Sequence, residues 1–220
     1  MRNDEKIKDR DITDSGRAFK IMSALVAAYP GAGCELDFET PFQLLVSVIL
    51  SAQCTDKRVN IVTETLYKIA STPADFDAMP TDTLEKLIYS CGFYKNKAKN
   101  IKATARDIIE RFGGEIPSTL EELTSLAGVG RKTANVILSV AFDKDAIAVD
   151  THVFRVSKRL GFSQGKTPDA VEKDLTRLFA GYAANKVHHA LIFHGRYCCK
   201  SQKPQCGGCA VREYCWWKRE

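Results

Sequence analysis

Two groups of residues have the types and the spacing to do chemistry. The first lies in Leu126 to His152, LAGVGRKTANVILSVAFDKDAIAVDTH. Gly128-Val129-Gly130 makes a tight reversal that glycine adopts at low cost, and Arg131, Lys132 and Thr133 follow at once. The N–H groups that open the next helix have no partner inside it and sit at the positive end of its dipole. The turn therefore suits a phosphate. Lys132 puts an amine, a candidate nucleophile, into that same turn. Asp150 follows the apolar run Ala146-Ile147-Ala148-Val149. Its carboxylate can accept a proton or balance a cation, and it is also a good N-cap for a helix starting at Thr151.

The second group is Cys199, Cys206, Cys209 and Cys215, spaced C-x6-C-x2-C-x5-C. Four thiolates from one short loop can enclose a single metal centre. By residue type alone, zinc and a [4Fe–4S] cluster both fit, with zinc the commoner occupant of such a cytosolic site. Cys198 can replace Cys199 on spacing alone. Cys34, Cys54 and Cys91 read as buried inert thiols. Arg196, Lys200, Lys203 and Arg212 in and around the loop either present charge to phosphates or only solvate it. His152, His188, His189 and His194 read as structural, since they lack metal-ligand spacing among themselves.

GVGRKTAN followed by VDTH closely resembles the helix–hairpin–helix DNA glycosylases, and specifically the endonuclease III family. The resemblance runs from about Arg17 through nearly the whole chain. It implies Lys132 as the Schiff-base nucleophile and Asp150 as its acidic partner. It implies DNA contact through Gly128, Val129, Gly130, Arg131 and Thr133. It also implies Gln53 filling the gap left by a flipped base and Phe93 wedging the opposite strand, where the family often has Leu. The cysteine spacing resembles the family's cluster loop, which moves the expected cofactor to a [4Fe–4S] cluster on Cys199, Cys206, Cys209 and Cys215. The implied activity is a bifunctional DNA glycosylase/AP lyase of base excision repair. It would remove oxidised pyrimidines from duplex DNA and cut 3′ of the abasic site by β-elimination. The alternatives are a related glycosylase for mismatched bases or pyrimidine dimers, and a non-catalytic DNA-binding module stapled by metal. The expected partner is double-stranded DNA with a damaged or abasic site, bound by a monomer.

These groups need a scaffold, and 220 residues with 45% hydrophobic and 27% charged side chains describe a globular protein with ample core. The net charge of +5 mildly favours a polyanion. Residues 1–17 are too polar for a signal peptide, and no apolar run reaches the roughly 20 residues that span a bilayer. The expected location is cytoplasmic and nucleoid-associated, without a membrane partner. Eight cysteines there are not expected to form disulfides.

The periodicity predicts helices throughout. Arg17 to Tyr29 has Phe19, Met22, Leu25, Val26 and Tyr29 on one side. Thr40 caps a helix with Pro41 first and Gln43 completing a capping box. That helix, Phe42 to Leu50, is apolar nearly all round and should be central. Thr55 or Asp56 caps the next, to about Ala70. Short helices follow at Ala74–Met79 and Asp82–Ser90, then a turn at Cys91–Tyr94. Lys95 to Phe112 is amphipathic, with Lys95, Lys97, Lys99 and Lys102 on its expected solvent face. Ser118 and Glu121 predict a capping box before Leu120, Leu123 and Leu126. Thr133 to Phe142 predicts a buried helix. Thr151–Leu160, Thr167–Phe179 and Ala183–Arg196 complete an all-α class. The resemblance implies a two-domain helix–hairpin–helix glycosylase fold with a cleft between domains. A six-helix domain with the hairpin would span 34–144. A domain from both termini, 1–33 and 145–220, would carry the cluster loop.

Overall fold

The computed structural model describes residues 15–217, so the charged N-terminal stretch read above lies largely outside the described residues. Helices are the only regular elements among the described residues. None of these is long and apolar enough to cross a membrane. The chain divides into two compact units, cut between Gly33 and Cys34 and again between Ala146 and Ile147.

The internal unit is organised around α2 (Pro41–Ser51), whose Leu44, Leu45, Val46 and Leu50 are fully buried. Each such side chain contributes about 1.5–3 kcal/mol. α2 packs against α3 (Asp56–Ile69), α6 (Tyr94–Phe112) and α8 (Arg131–Ala141). The polar groups of this greasy helix are answered locally. The Tyr67 hydroxyl donates to the Gln43 carbonyl at 2.7 Å and lies 2.6 Å from Ser47 Oγ. α4 (Pro73–Ala78) and α5 (Thr81–Ile88) pack on α6, and α7 (Leu120–Thr124) packs on α8.

Local chemistry departs from the sequence reading in instructive ways. Thr40 caps α2 as expected, but Gln43 Oε1 takes the N–H of Glu39, one residue before the cap. The cap of α7 is Thr119, not Ser118: its Oγ1 accepts from Glu122 N and donates to Glu122 Oε2 at 2.6 Å. Ser118 is instead engaged by the Lys144 ammonium through its carbonyl and hydroxyl. α8 begins at Arg131, two residues before the predicted Thr133, and its last turn, Val140 and Ala141, is only half-buried.

On the expected solvent face of α6, Lys95 and Lys99 are exposed, whereas Lys97 and Lys102 are not. Lys97 is buried, and Lys102 donates its ammonium to the carbonyls of Phe76, Asp77 and Met79 at the C-terminal end of α4. A periodicity argument treats every lysine as solvated. A long aliphatic stem ending on helix C-terminal carbonyls is an equally stable answer.

The terminal unit packs α1 (Ser15–Ala28) and α9 (Thr151–Leu160) against α11 (Ala184–Tyr197), with α10 (Pro168–Leu178) against α9. Ile21, Met22, Leu25, Val153, Val156, Leu175 and Leu191 form its core. α11 approaches α9 at Gly195, where an added Cβ would meet His152 Cβ at 2.8 Å. α11 then delivers the chain into the cysteine loop.

Candidate functional site

In the internal unit the hairpin joins α7 to α8. Gly128 has φ +75°, and a Cβ there would lie 2.6 Å from Asn100 Nδ2, so backbone and space both demand glycine. Gly130 differs: φ is −86°, and nothing lies within 4 Å of an added Cβ. Its lack of a side chain answers no need inside the protein and leaves the start of α8 open. Gly130 is the N-cap of α8, and no side chain caps that end. Arg131 and Thr133 are half-exposed, Lys132 is exposed, and Val129 is buried beneath them. A helix start without a side-chain cap and with an exposed lysine is the arrangement that receives a phosphate.

Two further predicted residues belong to this unit. Gln53, just past α2, and Phe93, the residue before α6, are both exposed and both hold left-handed backbone, φ +53° and +48°. Phe93 is 65% exposed, an uncommon state for a phenylalanine beside a buried core. Left-handed backbone at a residue other than glycine costs about 1–3 kcal/mol and collects at functional sites.

In the terminal unit Asp150 is the N-cap of α9, its Oδ1 accepting from Val153 N at 2.7 Å. The preceding Ile147, Ala148 and Val149 are buried, which fixes the carboxylate at the end of a rigid segment.

The same unit holds the cysteine centre. A cavity of about 380 Å³ is lined by Cys198, Cys199, Cys206, Cys209 and Cys215, with His194 and Trp217 among its walls. All five cysteines are free thiols. Sulfur donors lining one cavity fit a thiolate-bound metal centre. The ligand atoms of His194, Cys198 and Cys209 lie within 4.8 Å of one another. His194 Nε2 is 3.8 Å from Cys209 Sγ, and its Nδ1 is 3.2 Å from the Tyr29 hydroxyl. Burial lowers the His194 pKa to about 4, so the ring is neutral near pH 7. Burial, reinforced by the neighbouring Cys209, pushes the Cys198 thiol up to about 12.

Residues not singled out as functional hold this loop. Arg159 donates to Cys199 Sγ at 3.4 Å, to Lys200 O at 2.7 Å and to Ser201 O at 3.2 Å, and stacks on Trp217 at 3.8 Å. Arg155 donates to the carbonyls of Cys199 and Gly195. Helical spacing from the buried Val153, Val156 and Leu160 points both toward solvent. The signal that marks them is arginine's several fixed donors, which suit a loop rich in unpaired carbonyls. His194, expected to be structural because the histidines lack metal-ligand spacing among themselves, lies beside Cys198 and Cys209.

The HhH-GPD superfamily base excision DNA repair family matches residues 46–180. Endonuclease III of Bacillus subtilis is 52% identical over 188 residues, covering 85% of this chain and 86% of that protein. The chain belongs to the endonuclease III family. Endonuclease III of Haemophilus influenzae is 45% identical over 204 residues, covering 93% of this chain and 97% of that protein. A solved endonuclease III, trapped as a covalent intermediate with DNA in an estranged-adenine complex, superposes with a TM-score of 0.86. It is 46% identical, with 92% of this chain and 96% of that one covered. Membership makes this protein a base excision repair enzyme with the DNA glycosylase and AP lyase activities of endonuclease III.

Proposed function

We propose that this glycosylase/lyase excises oxidised pyrimidines from duplex DNA, using Lys132 as nucleophile and Asp150 as its acidic partner. One observation carries the reading: an exposed lysine in the first turn of an uncapped helix, directly after a glycine hairpin, in a chain of this family. The α8 start and the Gly128–Gly130 backbone hold a phosphate of the damaged strand. The target base leaves the stack at a cost of a few kcal/mol. Gln53 enters the vacated space while Phe93 stacks into the opposite strand. The neutral Lys132 amine attacks the sugar C1′ and the base leaves. Ring opening gives a Schiff base, whose formation acidifies the C2′ proton. Loss of that proton expels the 3′ phosphate and cuts the strand. Asp150 takes up the proton from the attacking amine and balances the cationic sugar.

Cys199, Cys206, Cys209 and Cys215 hold a [4Fe–4S] cluster in this reading. The Arg159 contact to Cys199 Sγ supports Cys199 as the ligand. Such a cluster ties the chain after α11 into a fixed loop. The protein acts as a monomer, in the cytoplasm at the nucleoid, on damaged or abasic duplex DNA.

A panel of labelled duplexes tests the substrate class. Release of oxidised pyrimidines together with nicking of an abasic strand is expected. Preference for a mismatched base or a pyrimidine dimer would move the enzyme to a neighbouring specificity. Binding without nicking of abasic DNA would contradict the proposal.

A further inference from the structure

Among the described residues Lys97 is the only lysine, arginine, aspartate or glutamate that is buried, at 4% exposure. The mechanism above makes no use of it. Its Nζ donates to the Leu50 carbonyl at 2.8 Å and to the Cys91 carbonyl at 2.7 Å. These acceptors belong to different segments. Leu50 is in the last turn of α2, just before Gln53. Cys91 ends the 3-10 turn Tyr89–Cys91, just before Phe93. Gln53 and Phe93 are both exposed and both left-handed. One ammonium therefore ties together the roots of two of the exposed, left-handed positions of this unit, Gln53 and Phe93, the third being Asp143.

The chemistry suits that task. Terminal carbonyls of helical turns carry partial negative charge and lack partners within their own helix. A cation donating to two of them at once fixes their separation more firmly than two independent water contacts. Burial pulls the lysine pKa below its usual value, opposed by nearby Cys91 and Cys54, so the geometry and not an ion pair holds the group. Strained tips persist only where their surroundings over-determine them. A buried brace beneath both provides that.

We propose that Lys97 is a positioning residue for damage recognition, its ammonium setting the separation of the Gln53 and Phe93 tips so that both enter the duplex at one lesion. The proposal rests on the reading that these two residues insert into DNA.

The test uses the full, cluster-loaded protein. Affinity is measured for a duplex carrying a tetrahydrofuran abasic analogue and for the same duplex undamaged. 2-Aminopurine opposite the analogue reports unstacking of that base. Lys97→Met is expected to lose the preference for the abasic duplex on the order of tenfold, together with most of the fluorescence rise. Its affinity for undamaged duplex should stay within about twofold, because the hairpin is untouched. Lys97→Arg keeps charge and donors but holds the two carbonyls at another separation, and should lose preference by about threefold. A folded Lys97→Met with wild-type preference and fluorescence overturns the proposal. So does an equal loss of affinity on both duplexes, which means that Lys97 only supports the fold. If Lys97→Met does not fold, Lys97→Arg decides by the same criteria. Gln53→Ala and Phe93→Ala separately check the underlying reading: if neither lowers the preference for abasic DNA, that reading fails, whatever Lys97 does.

Discussion

Asp150 Oδ1 accepts the N–H of Val153 at 2.7 Å, so the proposed catalytic carboxylate is also the N-cap of α9. The two roles separate by substitution. Asp150→Asn retains a capping oxygen and should unfold within about 0.5 kcal/mol of wild type, whereas Asp150→Ala should cost about 1 kcal/mol. Single-turnover base release by Asp150→Asn should fall on the order of 10²–10⁴-fold, the range of general acid–base contributions. An Asn variant that is destabilised but releases base at the wild-type rate per folded molecule would leave Asp150 as a cap alone.

The hairpin glycines should respond differently. Gly128→Ala forces a Cβ onto Asn100 at a positive φ and should cost about 1–3 kcal/mol of stability. Gly130→Ala meets nothing within 4 Å and should fold like wild type. It should nevertheless weaken binding of damaged and undamaged duplex alike by roughly tenfold, the equivalent of one lost hydrogen bond to a charged group. Salt titrations and thermal melts measure both. Loss of lesion preference with undamaged-duplex affinity intact would contradict phosphate binding at this turn.

The cysteine centre gives a compositional prediction. Anaerobically purified protein should be yellow-brown with about four irons per chain. Cys199→Ser should lower the iron content, and Cys198→Ser should leave it intact. Arg159→Ala removes the contacts to Cys199 Sγ, Lys200 O and Ser201 O, so iron should pass to a chelator faster. Colourless protein with stoichiometric zinc would refute the cluster, and the reverse pattern at Cys198 and Cys199 would reassign the ligand.

The sequence made the all-α class and the helix order legible, because apolar spacing and caps such as Thr40 and Thr167 act within a few residues of one another. It also made legible Lys132 after its hairpin and the four-cysteine spacing, which are local patterns. Lys97, Arg155 and Arg159 escaped it. Each sits at a helical position that reads as solvent-facing, and each is claimed by carbonyls distant in sequence. The capping shift from Ser118 to Thr119 was equally illegible, since both residues are good caps and the Lys144 contact to Ser118 is tertiary. Left-handed backbone at Gln53 and Phe93 has no composition signal, as neither residue type favours it.

The central claim is the covalent role of Lys132, and borohydride trapping on abasic duplex DNA tests it most directly. Wild type should give a stable enzyme–DNA adduct whose modified residue, by peptide mass, is Lys132. Lys132→Gln should give none and release no base, while binding duplex within about threefold of wild type because the hairpin backbone is unchanged. An adduct formed by Lys132→Gln at the wild-type rate would show that another amine is the nucleophile and that this site has been wrongly assigned.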